Sequence, residues 1–171
     1  MIARIRSGRR SGATTVEVSI VLSVFLLFLF GIFEYCRYLM MIQITTNAAR
    51  DGARYAVVNL GKGASFATAD YSDGATPPKV YPSITKYVNN RMAGTNGMID
   101  SYAVTVFACD PDQLNLPTPV IVPKTGSWNA AQFGDRVAVR ITGNYSTILP
   151  NFLMMGAVLP INVVVTMGSE G

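Results

Sequence analysis

Residues 12–39 read GATTVEVSIVLSVFLLFLFGIFEYCRYL, and this stretch decides the fold. From Val18 to Phe33 there is no charged side chain, and large apolar residues fall on every face of a helix. Sixteen helical residues extend about 24 Å, and the apolar residues on either side bring the span close to a bilayer core of about 30 Å. We therefore predict a membrane-spanning segment over about 18–39, rather than the buried core helix of a soluble protein.

The distribution of charge predicts the orientation of that segment. All four basic residues of the first twelve are arginines, at positions 4, 6, 9 and 10. Positive charge before an apolar run keeps the N-terminus in the cytoplasm and places the C-terminal part outside. The chain has 14 basic and 10 acidic residues, so without those arginines the charges balance. The pI of 9.2 thus reflects the N-terminus, and the sequence predicts no nucleic-acid-binding face.

Two kinds of cleavable signal are excluded by the residues around the run. A secretory signal has a shorter apolar region and a small-residue cleavage site, whereas residues 31–39 read GIFEYCRYL. A lipoprotein signal needs small residues immediately before its cysteine, but Cys36 follows Phe33, Glu34 and Tyr35. The run is therefore expected to stay on the mature protein.

Glu17 is the one charged residue between Gly12 and Phe33. Its simplest interpretation is a capping box, in which Thr14 caps the helix and Glu17 returns a hydrogen bond three residues later. The positive end of the helix dipole would also favour a carboxylate there. A carboxylate at membrane depth nevertheless costs about 2.5–3.5 kcal/mol unless it is paired, so a functional role is expected.

The residues around Glu17 resemble a type IV prepilin signal. Basic residues precede Gly12, and Glu17 is the fifth residue counted from Ala13. In that family a membrane peptidase cuts after the glycine and leaves the apolar run on the mature chain. The resemblance implies cleavage between Gly12 and Ala13. The new amine of Ala13 would then pair with Glu17 of a neighbouring subunit, and a subunit out of register would bury an unpaired charge.

Residues 47–56, NAARDGARYA, carry a stripe of small residues at helical spacing. Such a stripe lets a second element approach the backbone, and Gly52 costs nearly 1 kcal/mol of helix propensity, which indicates close packing. The predicted packing residues are Ala49, Gly52, Ala53 and Ala56.

Charged residues accompany the same helix. Asp51 is spaced to pair with Arg54, and Arg50 shares a helix face with Arg54. Glu34 and Arg37 are three residues apart and can pair on one helix face at the membrane boundary; the simpler interpretation is a solvated ion pair of little energetic weight.

Together, SGATTVE, GIFEYCR and NAARDGARYA resemble the TadE-like pilin and pseudopilin family of tight-adherence pilus systems. The usual pattern there ends the apolar run near G-I-x-E-x-x-R and continues with A-A-R-E-G-A-R. This chain departs from it with Asp51 for the usual Glu and with Cys36 where a small residue is common. The polar residues that match the family motifs are Glu34, Arg37, Arg50 and Arg54.

The resemblance implies a minor pilin or pseudopilin that is anchored in the inner membrane and later assembled into a pilus or its base. The implied partners are prepilin peptidase, the major pilin and other minor pilins, the inner-membrane assembly platform and the lipid bilayer. Neither nucleic acid nor a cofactor is expected. Two alternatives remain open: an uncut signal-anchored protein whose ectodomain binds a ligand or cell wall, and a membrane-anchored enzyme.

Catalysis is not expected, because the chain has no histidine and therefore lacks the commonest general base and metal ligand. An enzyme would need a Ser-Lys or paired-Asp site, and no motif at such spacing is present. Two cysteines alone cannot form a zinc site, so no metal centre is predicted.

The predicted fold is α+β. Residues 1–12 are a leader, residues 13–60 form one long helix, and residues 61–171 form an outer domain. Residues 61–79 are rich in Gly, Ala, Ser, Thr and Asp and predict a surface linker or loop. A short helix is predicted between Ser83 and Gly94. Alternating apolar residues predict an antiparallel sheet that packs on the outer half of the long helix, with strands at 102–109, 136–142 and 161–167.

Three smaller features each allow two interpretations. Cys36 and Cys109 are both expected outside the cytoplasm, where they could form a disulfide or remain small buried apolar groups. The aspartates of DYSDG and CDPDQ suit calcium or, more simply, turns. Trp128 suits either an adhesive contact or a core anchor. Residues 115–129 predict an irregular or edge segment, and residues 149–160 a short helical turn.

Overall fold

The computed structural model describes residues 11–111, 121–148 and 156–169, with side chains described from Thr14 onward. Its element order is helix α1 (Ser11–Val58), strands β1 (Tyr71–Ser72) and β2 (Val80–Tyr81), helix α2 (Ile84–Arg91), and strands β3 (Ile99–Cys109), β4 (Arg136–Ser146) and β5 (Val158–Gly168). One long helix and a small antiparallel sheet confirm the predicted α+β fold.

The long helix α1 has two halves with different surroundings. From Thr14 to Phe30 its side chains are exposed, apart from a half-buried Leu29. From Glu34 to Ala56 one face is buried at intervals of three and four residues, and the outer domain covers it. Apolar residues in the first half therefore have no cover within the described chain, which is the pattern of a lipid-facing helix.

Strands β3, β4 and β5 form the main sheet, with β4 at its centre and both pairings antiparallel. Each strand is longer than predicted, because ladder hydrogen bonds continue past the alternating apolar core. The predicted inward positions Val137, Val139 and Ile141 are fully buried. They pack against α1 and α2, so the core lies between the sheet and the two helices.

Helix α2 begins and ends where the sequence predicts. The Ser83 hydroxyl accepts a hydrogen bond from the Lys86 backbone N–H and caps the first turn. Gly94, with φ of 85°, adopts the left-handed conformation just beyond the helix. Ile84 and Val88 are fully buried and bring α2 against α1.

The segment predicted as a surface linker or loop, residues 61–79, is mostly exposed and carries local structure. The chain there forms 3-10 turns over Leu60–Lys62 and Ala64–Ala67, and β1 pairs with β2 as a small hairpin. Phe66 is 1% exposed, and its burial among neighbouring tyrosines fixes a segment whose composition suggests a loop. Burial of this one large side chain gives the segment a defined conformation, although most of its residues are small.

Two predicted connections lie only partly within the described residues. Residues 121–127 are irregular, as expected for this segment, and the Lys124 backbone N–H bonds to the Ala108 carbonyl at the end of β3. The helical turn predicted for 149–160 falls mostly on 149–155, which lie outside the described residues. Its last residues, 158–160, belong to β5, so the helical prediction is wrong there.

Candidate functional site: the exposed half of the helix and the Glu34 contact

The predicted processing and assembly residues lie at the start of α1. Gly12 and Ala13 are in its first turn, and Glu17 is exposed about one turn further along. Because the helix begins at Ser11, Thr14 lies inside it and does not serve as the N-cap. The capping-box interpretation of Thr14 and Glu17 is therefore wrong for the unprocessed chain. Glu17 borders a shallow apolar surface formed with Val18, Val21, Leu22 and Phe25.

Two serine hydroxyls in the exposed half are satisfied within the helix. The Ser19 hydroxyl donates to the Thr15 carbonyl at 2.9 Å, and the Ser23 hydroxyl donates to the Ser19 carbonyl at 2.8 Å. Such bonds remove the cost of placing hydroxyls in lipid. Among the described residues from Thr14 to Phe33, Glu17 alone carries a charge, and no ion pair within the described chain neutralises it.

The Glu34 carboxylate is buried, with a relative exposure of 5%. Its Oε1 accepts hydrogen bonds from the Tyr145 hydroxyl at 3.0 Å and from the Ile148 backbone N–H at 3.1 Å. Arg37 donates to Oε2 at 3.4 Å, as its spacing predicts. The predicted Glu34–Arg37 pair is confirmed, but it is not the simpler solvated pair, because the Glu34 carboxylate is buried and also binds the end of β4.

Burial and hydrogen bonding shape the chemistry of this contact. Burial, together with donation to Glu34, raises the pKa of the Tyr145 hydroxyl, which therefore stays protonated as the donor at neutral pH. The Arg37 guanidinium lies 5.8 Å from the centre of the Tyr145 ring, and Tyr38 packs against the same ring at 5.7 Å. One carboxylate thus holds the sheet against the helix at the end of its apolar run.

Sequence reasoning did not identify Tyr145 as the partner of Glu34. The signal was available, because Tyr145 continues the odd-numbered series of inward positions Val137, Val139 and Ile141 along β4. Periodicity does not show that the end of β4 lies beside Glu34, because Glu34 is 111 residues earlier in the chain than Tyr145.

The predicted small-residue stripe lies in the core. Ala49, Ala53 and Ala56 are fully buried against the sheet and α2. A Cβ on Gly52 would overlap the Val88 Cγ2 atom and would lie 3.6 Å from Val139. The absence of a side chain at Gly52 is therefore what lets α2 approach α1 so closely.

The predicted arginines lie outside this packed face. Arg50 and Arg54 are exposed. Asp51 pairs with Arg91 of α2 at 3.3 Å, and the described ion pairs do not include one between Asp51 and Arg54, so that pairing is wrong. The i, i+3 spacing allowed a local pair, but α2 brings a competing guanidinium to Asp51.

An open cavity of about 450 Å³ lies where α1 meets α2 at the far end of the domain. Asp51, Arg54 and Arg91 line it together with Tyr55 and Tyr87, whose rings stack at 4.2 Å. Burial raises the pKa of the Tyr55 hydroxyl, which donates to the Pro82 carbonyl. These contacts join α1 to the segment preceding α2.

The remaining candidates have structural roles. Cys36 is exposed and Cys109 is buried, and both are free thiols. Asp70 accepts hydrogen bonds from Ser83 N–H and Lys86, and Asp73 accepts from the backbone N–H groups of Ala75 and Lys79. The DYSDG aspartates thus form turn contacts, while Asp112 of CDPDQ lies outside the described residues.

Trp128 is a core anchor rather than an exposed contact. Its side chain is 4% exposed, and its Nε1–H donates to the Ala64 carbonyl at 2.9 Å. This bond holds a loop from the second half of the chain against the turns that follow α1.

This is an α+β protein with an N-terminal helix that is apolar and long enough to cross a membrane. The second half of that helix packs against a β-sheet domain. A family model described as TadE-like protein matches residues 12–54. The match confirms the resemblance identified from the motifs: residues 12–54 are similar to the TadE-like family, which is associated with tight-adherence pili. No curated protein and no solved structure matches the chain.

Proposed function

We propose that the protein is a prepilin-type minor pilin or pseudopilin of a tight-adherence pilus or related secretion apparatus. The observation that carries this proposal is the exposed apolar half of α1 with Glu17 as its single charge. The TadE-like match over residues 12–54 covers this half and most of the packed half of α1. A helix of this kind needs a lipid or helical environment that the rest of the described chain does not supply.

In the proposed pathway the N-terminus stays cytoplasmic and the sheet domain lies outside, in a single-pass inner-membrane protein. Prepilin peptidase cuts between Gly12 and Ala13. The assembly platform then moves the mature chain into a pilus or pilus base, where its helix packs against those of the major pilin and other minor pilins. The protein needs no catalysis, metal or cofactor of its own for this role.

Electrostatics gives Glu17 its role in assembly. Cleavage creates an ammonium group on Ala13, about one helical turn from Glu17 of the same chain. In a bundle of parallel helices that ammonium also reaches Glu17 of a neighbour. An unpaired buried charge is strongly unfavourable, so the pairing selects one axial register between subunits.

The first test is the intact mass of the protein purified from native cells. We expect loss of residues 1–12, with Ala13 as the new N-terminus. An N-terminus at Met1 in cells that contain the peptidase would contradict processing. It would favour the alternative of an uncut, signal-anchored protein with a ligand- or cell-wall-binding ectodomain.

The second test compares Glu17→Gln with Ser19→Ala as a matched control on the same exposed helix. Glu17→Gln keeps the shape but removes the charge, so we expect cutting to continue while recovery of the protein with sheared pili falls. Ser19→Ala removes a hydroxyl bonded within the helix and should be incorporated normally. Normal incorporation of Glu17→Gln would rule out the registration role.

A further inference from the structure

The end of the β4–β5 hairpin lies beside the apolar half of α1. Past the last paired residues, the Thr147 backbone N–H bonds to the Ala157 carbonyl at 3.1 Å and continues the hairpin. The next residue, Ile148, donates its backbone N–H to Glu34. Two direct bonds to Glu34, from Tyr145 and Ile148, therefore fix this hairpin end at the boundary of the apolar run.

Four apolar side chains form what we call the hairpin-end surface: Phe30, Phe33, Ile148 and Val158. Each is more than half exposed, and Ile148 reaches 66%. Ile148 lines a groove of about 430 Å³ with Phe30 and Phe33. Phe30 lies about 6 Å further into the apolar run than Glu34, so the Ile148 side chain faces the membrane side of Glu34.

Charged groups border this surface. Glu34 and Arg37 line the same groove as Ile148, and Asp100 accepts a hydrogen bond from Ser146, the residue after Tyr145. Charges beside an apolar surface at the end of a span are the arrangement found at the membrane–water interface.

We propose that the hairpin-end surface inserts into the leaflet on the outer side of the membrane, so that the sheet domain rests on lipid as well as being tethered by α1. This inference depends on the membrane anchoring in the proposed function. Lipid is the favoured occupant because the surface is continuous with the exposed span of α1. Because α1 would cross the bilayer next to Ile148, lipid acyl chains would lie at the same depth as the Ile148 side chain.

The test measures quenching of a fluorophore by brominated acyl chains, with the full-length protein in phosphatidylcholine nanodiscs. A Cys36→Ser background leaves only Cys109, which is 1% exposed and therefore protected from labelling in the native state. The test position is Ile148→Cys. Val24→Cys inside the span is the positive control. Phe133→Cys, 84% exposed at the opposite end of β4, is the negative control.

We expect the label at 148 to be quenched less than the label at 24 and clearly more than the label at 133. Val158→Cys repeats the measurement from the other strand and should behave like position 148. It also keeps the test decisive if the first variant does not fold, which native tryptophan emission would reveal.

Other outcomes separate this inference from the proposed function. Quenching at 24 but not at 148 or 158 would overturn lipid insertion of the hairpin end and leave the anchor intact. An absence of quenching at 24 would overturn the anchor and the inference together. If the label at 148 is unquenched but shifts to the blue as protein density in the disc rises, a second copy of the chain covers this surface instead, and the inference fails.

Discussion

The Tyr145 hydroxyl donates a hydrogen bond to the Glu34 carboxylate across 111 residues of chain, at 3.0 Å and in a buried position. The pair joins the end of the central strand to the point where the apolar half of α1 gives way to its packed half. It fixes the position of the sheet domain along α1 relative to the apolar half of that helix.

We expect Tyr145→Phe to lower the free energy of unfolding by about 1.5–3 kcal/mol, since it removes a hydrogen bond to a charged group. Glu34→Ala should cost more, because it leaves both Tyr145 and the Ile148 N–H without their acceptor. Denaturant unfolding of the full-length protein in detergent measures both. Tyr35→Phe is the matched control, since Tyr35 is 54% exposed and should change stability by less than about 0.5 kcal/mol.

A double-mutant cycle on Glu34 and Tyr145 tests the contact itself. Residues in direct contact show coupling of about 0.5–3 kcal/mol, whereas independent sites add. Hydrogen exchange should also become faster at the Ile148 amide in Glu34→Ala, because that N–H loses its acceptor. Strict additivity, with an unchanged exchange rate at Ile148, would contradict the contact.

Gly52→Ala should destabilise the protein despite the better helix propensity of alanine. The added Cβ overlaps the branched Val88 side chain, and overpacking of this kind typically costs about 1–3 kcal/mol. Adding Val88→Ala should recover part of the loss. Gly61→Ala is the control, because nothing lies within 4 Å of its Cβ position. A Gly52→Ala protein as stable as wild type would show that α2 does not approach α1 this closely.

Acid should weaken the outer domain through Asp135 and Asp70. The Gln132 N–H and then Lys124 lower the pKa of Asp135 below its ordinary 3.8, and Lys86 and then the Ser83 N–H lower that of Asp70. A carboxylate with a lowered folded-state pKa stabilises the fold above its unfolded pKa, and that contribution is lost as pH falls through the folded value.

Unfolding free energies measured from pH 7 down to about pH 2 should therefore fall more steeply for wild type than for Asp70→Asn or Asp135→Asn, and the difference should develop mainly below the ordinary pKa of 3.8. The variants should be less stable at neutral pH and should approach wild type as the pH drops. Curves that stay parallel over the whole range would show that these two aspartates do not govern the acid sensitivity.

Trp128 should act as an internal reporter of folding, since it is the single tryptophan of the chain and lies in the core. Its emission should be blue in the native protein and shift to the red on unfolding. Trp128→Phe should cost about 1–3 kcal/mol, because the Ala64 carbonyl loses its donor. Circular dichroism follows unfolding of this variant, with Phe133→Leu at an exposed position as control. Native emission typical of a solvent-exposed indole would contradict the core position.

Several parts of the fold could be predicted because they depend on patterns among residues that are close together in the sequence. The uncharged run from Val18 to Phe33 predicts a helix that needs lipid, and alternation along β4 predicts its buried face. The Ser83 cap and the Gly94 stop bound α2. In each case the physical signal comes from residues within a few turns of one another.

Other parts could not be predicted from local patterns. The Glu34 carboxylate is buried and accepts a hydrogen bond from the Tyr145 hydroxyl, where its spacing from Arg37 suggested at most a solvated ion pair. Helix α2 brings Arg91 to Asp51, which pairs with it and not with Arg54. Trp128 holds the turns that follow α1 through the Ala64 carbonyl, 64 residues earlier in the chain. Such contacts depend on which elements meet, and spacing along one helix carries no information about that.

The sequence by itself determined an apolar N-terminal helix with one embedded acid, a TadE-like motif set and a following α+β domain, because hydrophobic periodicity and charge placement are local properties. Only the tertiary structure decided that the sheet reaches back to Glu34 and presents its hairpin end beside the apolar run. That outcome depends on the packing of Gly52 against Val88 and on the hydrogen bonds of Tyr145 and Ile148. These contacts exist only once distant parts of the chain have come together.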